Sequence, residues 1–261
     1  LYPLVFNLNL FDFHPEVMAL PVFLWAVLMA RQKRLGWFVA CVLLILGCRA
    51  ALSLTVVAMG VWLILFEKRR VCGAIAIVLG TVWFLIAIKL VIPAFRPAGV
   101  EAALRYAYLG DSVPAIIKNL FLRPDLLLGR VLSLETLEYL LLLMIPLLWG
   151  LSFRHLAPLV AALPQLAMNI LSDAPSQRDL VHQYSLPILP FLILVVIGTL
   201  AAQEETKRQT SEPASASPHR RTSWLSSLRS RLQTPKFLLL WSLVAFLALA
   251  KYGYFGSLYL S

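Results

Sequence analysis

Charge is scarce in this chain. Asp, Glu, Lys and Arg make up 14% of its 261 residues, hydrophobic residues make up 60%, and the mean hydropathy is +0.81. A water-soluble domain carries about 25% charged and about 45–50% apolar residues, so that class is excluded. Acidic residues are the rarer sign, 13 against 23 basic ones, and none sits in the middle of a hydrophobic run. Lys89 is the only lysine inside such a run, which speaks against a proton-coupled pump, whose path is lined by ionisable groups. The three cysteines, Cys41, Cys48 and Cys72, lie in apolar segments without CxxC spacing. They read as small buried thiols rather than as a disulfide or a metal site. The P-loop, the Rossmann glycine pattern, the GxSxG elbow and HExxH are all missing.

What is present is hydrophobic sequence in seven stretches, with basic residues sorted between them. Arg31-Gln32-Lys33-Arg34, Glu67-Lys68-Arg69-Arg70, Arg154 and the run from Lys207 to Lys236 alternate with connectors that hold the acidic residues and histidines. Lys/Arg beside spanning segments resist translocation, so the basic connectors are assigned to the inner face and the others to the outer face. The net charge of +10 then faces anionic lipid head groups and implies no nucleic acid. The run Leu35–Phe66 holds 32 residues with Arg49 as its only charge. As one helix it is about 48 Å long against a hydrocarbon core of about 30 Å. Both its flanks are basic, so it is read as two short spans broken near Gly47-Cys48-Arg49, with a re-entrant segment as the alternative. Further spans are expected from Pro15 to Arg31, Val71 to Ile92, Glu135 to Leu151, His155 to Leu171, Leu186 to Ala202 and Phe237 to Tyr254. Gly73 and Gly80, seven apart, suit a helix-packing seam. The outer connector from Pro93 to about Leu134 carries two amphipathic pieces, around Val100–Leu109 and Val113–Leu132. The expected fold is all-α, a polytopic membrane bundle of seven or eight hydrophobic segments with an amphipathic-helical outer loop. Residues 1–202 form the transmembrane domain. Residues 203–235 form a basic disordered linker, in which Trp224, Leu225, Leu228 and Leu232 share a helical face. Residues 236–261 supply a last helix.

Three polar clusters share the outer face. In Phe11-Asp12-Phe13-His14-Pro15-Glu16, Asp12 and His14 can project from one side, with Glu16 in the next helical turn. Such a trio can hold a divalent cation, Mg or Mn, or move protons. Equally, the carboxylates can simply complement a helix N-terminus, worth about 0.3–1 kcal/mol each. The second cluster spans Ser172–Tyr184 and includes Asp173, Arg178, His182 and Tyr184. Arg178 offers a planar fork to phosphate or carboxylate, and His182 can titrate near neutral pH. The third is Arg105-Tyr106-Ala107-Tyr108-Leu109-Gly110-Asp111-Ser112, whose aromatics serve as interfacial anchors or as a sugar platform.

These three motifs, in this order and spacing, resemble a bacterial domain-of-unknown-function family of predicted polytopic membrane proteins grouped with the GT-C type glycosyltransferases. The matching residues are Leu10–Glu16, Tyr106-x-Tyr108-Leu109-Gly110-Asp111-Ser112 and Leu171-Ser172-Asp173 with Gln177-Arg178 and His182-x-Tyr184-Ser185. The resemblance covers residues 1–200. It implies a protein of the bacterial inner membrane, taking a sugar from a polyprenyl-phosphate carrier at the outer face. Asp12, His14 and Glu16 would then serve metal or acceptor, and Arg49, Arg105, Asp111, Asp173, Arg178, His182 and Tyr184 the donor phosphate. The family pattern continues after the cysteine with a base and an acidic pair, whereas Cys48-Arg49-Ala50-Ala51 keeps only the base. The GT-C catalytic acid belongs to an early outer loop, expected ahead of Leu1 in a longer chain, so the catalytic residue is unassigned. A transporter, a carrier-binding scaffold, or a decayed fragment of a longer gene are the alternatives.

Overall fold

A computed structural model describes residues 2–5, 14–95, 101–180, 182–211 and 235–250. Among these residues all regular structure is helical and no strand occurs. The first four helices are α1 (Glu16–Arg31), α2 (Leu35–Cys48), α3 (Leu52–Leu65) and α4 (Arg70–Ile86). α4 continues through a π-helical turn (Ala87–Val91) and a last α-turn (Ile92–Phe95). The sequence places its end at Pro93, but the chain stays helical for two residues beyond it. A proline lacks the N–H that an α-helix needs, and the π-helical turn directly before it re-registers the backbone. The outer connector forms a 3₁₀ segment (Glu101–Tyr106), α5 (Val113–Leu122) and α6 (Pro124–Val131). The amphipathic piece expected over Val113–Leu132 is broken at Arg123, because the residue before Pro124 avoids helical dihedrals.

Downstream, α7 (Leu134–Met144) tightens at Pro146 into a 3₁₀ segment (Ile145–Gly150). A further 3₁₀ segment (Ala157–Ala162) leads into α8 (Leu163–Leu171), with Pro158 and Pro164 at the two starts. α9 (Leu189–Ser211) follows the 3₁₀ segment Gln183–Ile188, and α10 (Pro235–Ala250) comes last. α9 runs past residue 202, where the linker was expected to begin. The amphipathic stretch around Trp224 lies outside the described residues.

Helix length and apolar composition bear on the crossings. Among the described residues two helices are long and apolar enough to span a bilayer, Arg70–Phe95 (26 residues) and Gln183–Thr206 (24 residues). A third appears if Pro124–Val131 and Leu134–Gly150, bent by 52°, are taken together. Seven or eight full spans are not shown. Apolar composition does not fix helix length. The 32-residue run breaks at Arg49–Ala51 into two helices of 14 residues, each about 21 Å long where the hydrocarbon core is about 30 Å.

The core lies between α1, α2, α3 and α9. Phe23, Phe38, Trp62 and Phe191 are fully buried there, and Phe23 meets Phe191 edge-on at 5.4 Å. α9 is the central helix, with 67% of its apolar window buried, against 17% for α4. α4 therefore presents Val78, Val82, Leu85 and Leu90 outward, a surface suited to hydrocarbon rather than water. Its inner face fits α3 through glycines. A Cβ on Gly73 would sit 2.5 Å from the Gly60 carbonyl oxygen, and one on Gly80 would sit 2.9 Å from that of Ser53. The seam expected at Gly73 and Gly80 is present, and Gly60 completes it.

The up-and-down course of α1 to α3 sorts the charges. At one end, Arg31 holds Glu67 in a two-pronged pair (3.0 and 2.7 Å), and Arg69 donates to the Arg31 carbonyl at 2.8 Å. Both basic connectors thus sit side by side, as the charge pattern requires. Lys33 and Lys68 take left-handed conformations (φ 60° and 56°) at these tight turns. At the other end, the break after α2 returns to the start of α1.

Candidate functional site

At that second end Arg49 forms an ion pair with Glu16, joining the start of α1 to the break between α2 and α3. The Glu16 side chain is 6% exposed and the Arg49 side chain 36%. A buried carboxylate needs a counter-ion, and Arg49 is the one the chain supplies. The Arg49 guanidinium also lies over the Tyr184 ring, 5.4 Å from its centroid, and that of Arg105 lies over the same ring at 5.2 Å. His182 stacks on Tyr184 at 6.3 Å and faces Asp179, Nδ1 to carboxylate, at 3.4 Å. One aromatic side chain therefore gathers two guanidinium groups contributed by distant parts of the sequence. Among the described residues no carboxylate pairs with Arg105. With its amide turned to satisfy both ends, Gln177 accepts from Arg105 Nη1 at 2.6 Å and donates to the Met168 carbonyl at 2.8 Å.

Several motif residues have another task, closing the C-terminus of α8. The last carbonyls of a helix lack intrahelical donors. Here Tyr106 donates to Met168 (2.9 Å), Tyr108 to Leu171 (2.8 Å), and Arg178 to Ile170 and Ser172 (3.2 and 2.8 Å). The Arg178 side chain is 9% exposed, and its other nitrogen binds Glu135 at 2.8 Å. Burial pushes the Tyr106 hydroxyl up to about 12, with the Arg105 charge opposing the shift. Burial raises Tyr108 too, against the pull of Arg130. Both phenols consequently stay protonated and act as donors at neutral pH.

Asp173 pairs with Arg130, whose guanidinium lies 5.1 Å from the centroid of Tyr108, and its backbone N–H binds the Arg105 carbonyl at 2.8 Å. That contact ties the connector to the loop after α8. Asp111 is exposed at the turn before α5, apart from these contacts. His14 is half-buried just ahead of α1, and Asp12 lies outside the described residues. Glu16 already has Arg49 as counter-ion, and among the described residues no three His, Cys, Asp or Glu form a cation cage. The described donors alone do not fit Mg or Mn.

Sequence reading passed over the polar core beneath the site. Asn169, fully buried on α8, donates to Tyr139 Oη at 2.9 Å and to the Tyr184 carbonyl at 3.2 Å. Gln165 donates to Asn169 at 2.9 Å, and Tyr139 and Ser185 share a hydrogen bond of the same length. This network fixes the backbone that carries Tyr184. Gln165 and Asn169, four apart in an apolar stretch, were the visible signal.

Residues 1–261 match the family described as "Predicted membrane protein (DUF2079)". The chain belongs to that family. It is therefore a membrane protein of a family whose function is not assigned, consistent with the outward apolar surface of α4. No curated protein and no solved structure matches it.

Proposed function

We propose that this protein is a GT-C type glycosyltransferase of a bacterial inner membrane. Its seven or eight hydrophobic segments lie in the bilayer, and it uses a polyprenyl-phosphate-linked sugar at the outer face. The observation that carries the reading is the pair of guanidinium groups, Arg49 and Arg105, gathered over Tyr184 at the end away from the basic turns. In the transfer, an acceptor hydroxyl attacks the anomeric carbon, the bond from that carbon to the phosphate oxygen breaks, and the lipid phosphate leaves with the negative charge. Two fixed cations stabilise that charge as it develops. Arg105, free of a carboxylate among the described residues, meets the phosphate directly, while Arg49 supplies field and holds Glu16. His182 and Tyr184 border the phosphate, and Arg178 positions the loop. No step is assigned to a divalent cation, and the base that takes the acceptor proton is left unassigned.

A carrier-binding scaffold without chemistry is the second reading. It is favoured by the fact that Glu16, Asp173 and Glu135 are each committed to an arginine, so none is an evident base. The test is transfer of radiolabelled sugar from a polyprenyl-phosphate donor in proteoliposomes holding the full chain. Arg105→Ala should lower kcat by about 100-fold, as loss of one charge-stabilising donor does elsewhere. Retention of donor binding without any covalent product from the unaltered protein would select the scaffold.

A further inference from the structure

An open cleft of about 550 Å³ lies between α6, α7 and Tyr108. It is lined by Asp125, Leu126, Gly129 and Arg130 on one side and by Ser133, Leu134 and Glu135 on the other. Small-molecule sites occupy about 300–1,000 Å³, so this cleft has room for one. We propose that it binds a neutral saccharide.

The charge balance carries the choice of ligand. Every charge lining the cleft is matched: Arg130 by Asp173, Glu135 by Arg178 at 2.8 Å, and Asp125 by Arg123 at 3.3 Å. A phosphate or an ammonium ion entering here meets no unbalanced partner, in contrast to the site over Tyr184. The polar groups are not exhausted by their pairing. A carboxylate offers about four lone-pair positions and a guanidinium five N–H donors. Asp125 and Glu135 are 62% and 72% exposed, so both retain acceptor capacity toward the cleft. Leu126, Gly129 and the exposed Leu134 add apolar surface to those groups. Carboxylate acceptors, guanidinium donors and small apolar patches together match the edges and C–H faces of a pyranose ring. Calling that saccharide the acceptor rests on the glycosyltransferase reading; its binding does not.

Gly129 provides the test. A Cβ built there meets nothing within 4 Å, so a side chain at this position enters the cleft without disturbing the fold. Full-length protein in nanodiscs, prepared without glycoside detergents, is titrated with maltose, cellobiose and methyl α-mannoside and followed by saturation-transfer NMR. At least one probe should bind saturably. Gly129→Phe should weaken that binding by at least about tenfold, while Gly129→Ala leaves it within about twofold. Leu134→Trp, at an exposed position on the other wall, should reproduce the loss. If no probe binds saturably, or if both the phenylalanine and tryptophan variants bind like the unaltered chain, the inference is overturned. Tighter binding of inorganic pyrophosphate than of any sugar, lost in Gly129→Phe, overturns it as well. Sugar binding without any transfer would count against the glycosyltransferase reading alone.

Discussion

Removing the positive end of the Glu16–Arg49 pair should do more harm than removing the negative end. Glu16 is the buried member, 6% exposed, whereas Arg49 is 36% exposed and can still reach solvent and the Tyr184 ring. Truncating one partner of a fully buried pair costs about 3–5 kcal/mol, because the other charge is left uncompensated. An exposed pair is worth about 0–1 kcal/mol. For Arg49→Ala, which strands the buried carboxylate, the expected loss is between these limits, about 2 kcal/mol. Glu16→Gln strands only a half-exposed guanidinium and should cost about 1 kcal/mol or less. In Glu16→Gln/Arg49→Met no charge is left unpaired, and stability should return to within about 1 kcal/mol of the starting protein. Thermal unfolding in detergent reads these differences. On the scale of soluble domains of similar length, 2 kcal/mol corresponds to about 4–8 °C in Tm. Equal losses for the two single variants, or additive losses in the double variant, would refute the claim that Arg49 is the counter-ion of a buried carboxylate.

Glycine substitutions should split by position. Gly73→Ala places a methyl group against the Gly60 carbonyl and Ile64, so α3 and α4 must separate, at about 1–3 kcal/mol. Gly36→Ala and Gly47→Ala meet nothing within 4 Å in α2 and should stabilise by up to about 1 kcal/mol; the same melting assay distinguishes the signs. Asn169→Leu strips partners from Gln165 and the Tyr184 carbonyl inside the protein and should cost about 2–3 kcal/mol. Faster amide exchange across residues 182–186 than in the unaltered protein would confirm that this network anchors the Tyr184 segment; unchanged exchange would count against it.

The sequence by itself determined the membrane class, because 60% hydrophobic residues with little charge cannot dissolve as a water-soluble domain. It also placed the break near Arg49 between α2 and α3, whereas the break at Arg123, ahead of Pro124, fell inside a piece read as continuous. The pairing of the Arg31–Arg34 and Lys68–Arg70 turns on one side was legible, as charge sorting follows the chain from one turn to the next. The length of each helix was not. Hydropathy records what a segment is made of, whereas its span depends on where the backbone breaks and how the short helices lean on one another. Nor could the sequence separate the roles within its motifs. Arg105 and Arg178 are the same residue type in equally polar surroundings along the chain. Only the tertiary structure sets Arg178 against the spare carbonyls of α8 and leaves Arg105 over Tyr184, because a helix end satisfies its backbone with whichever donor packing brings within reach.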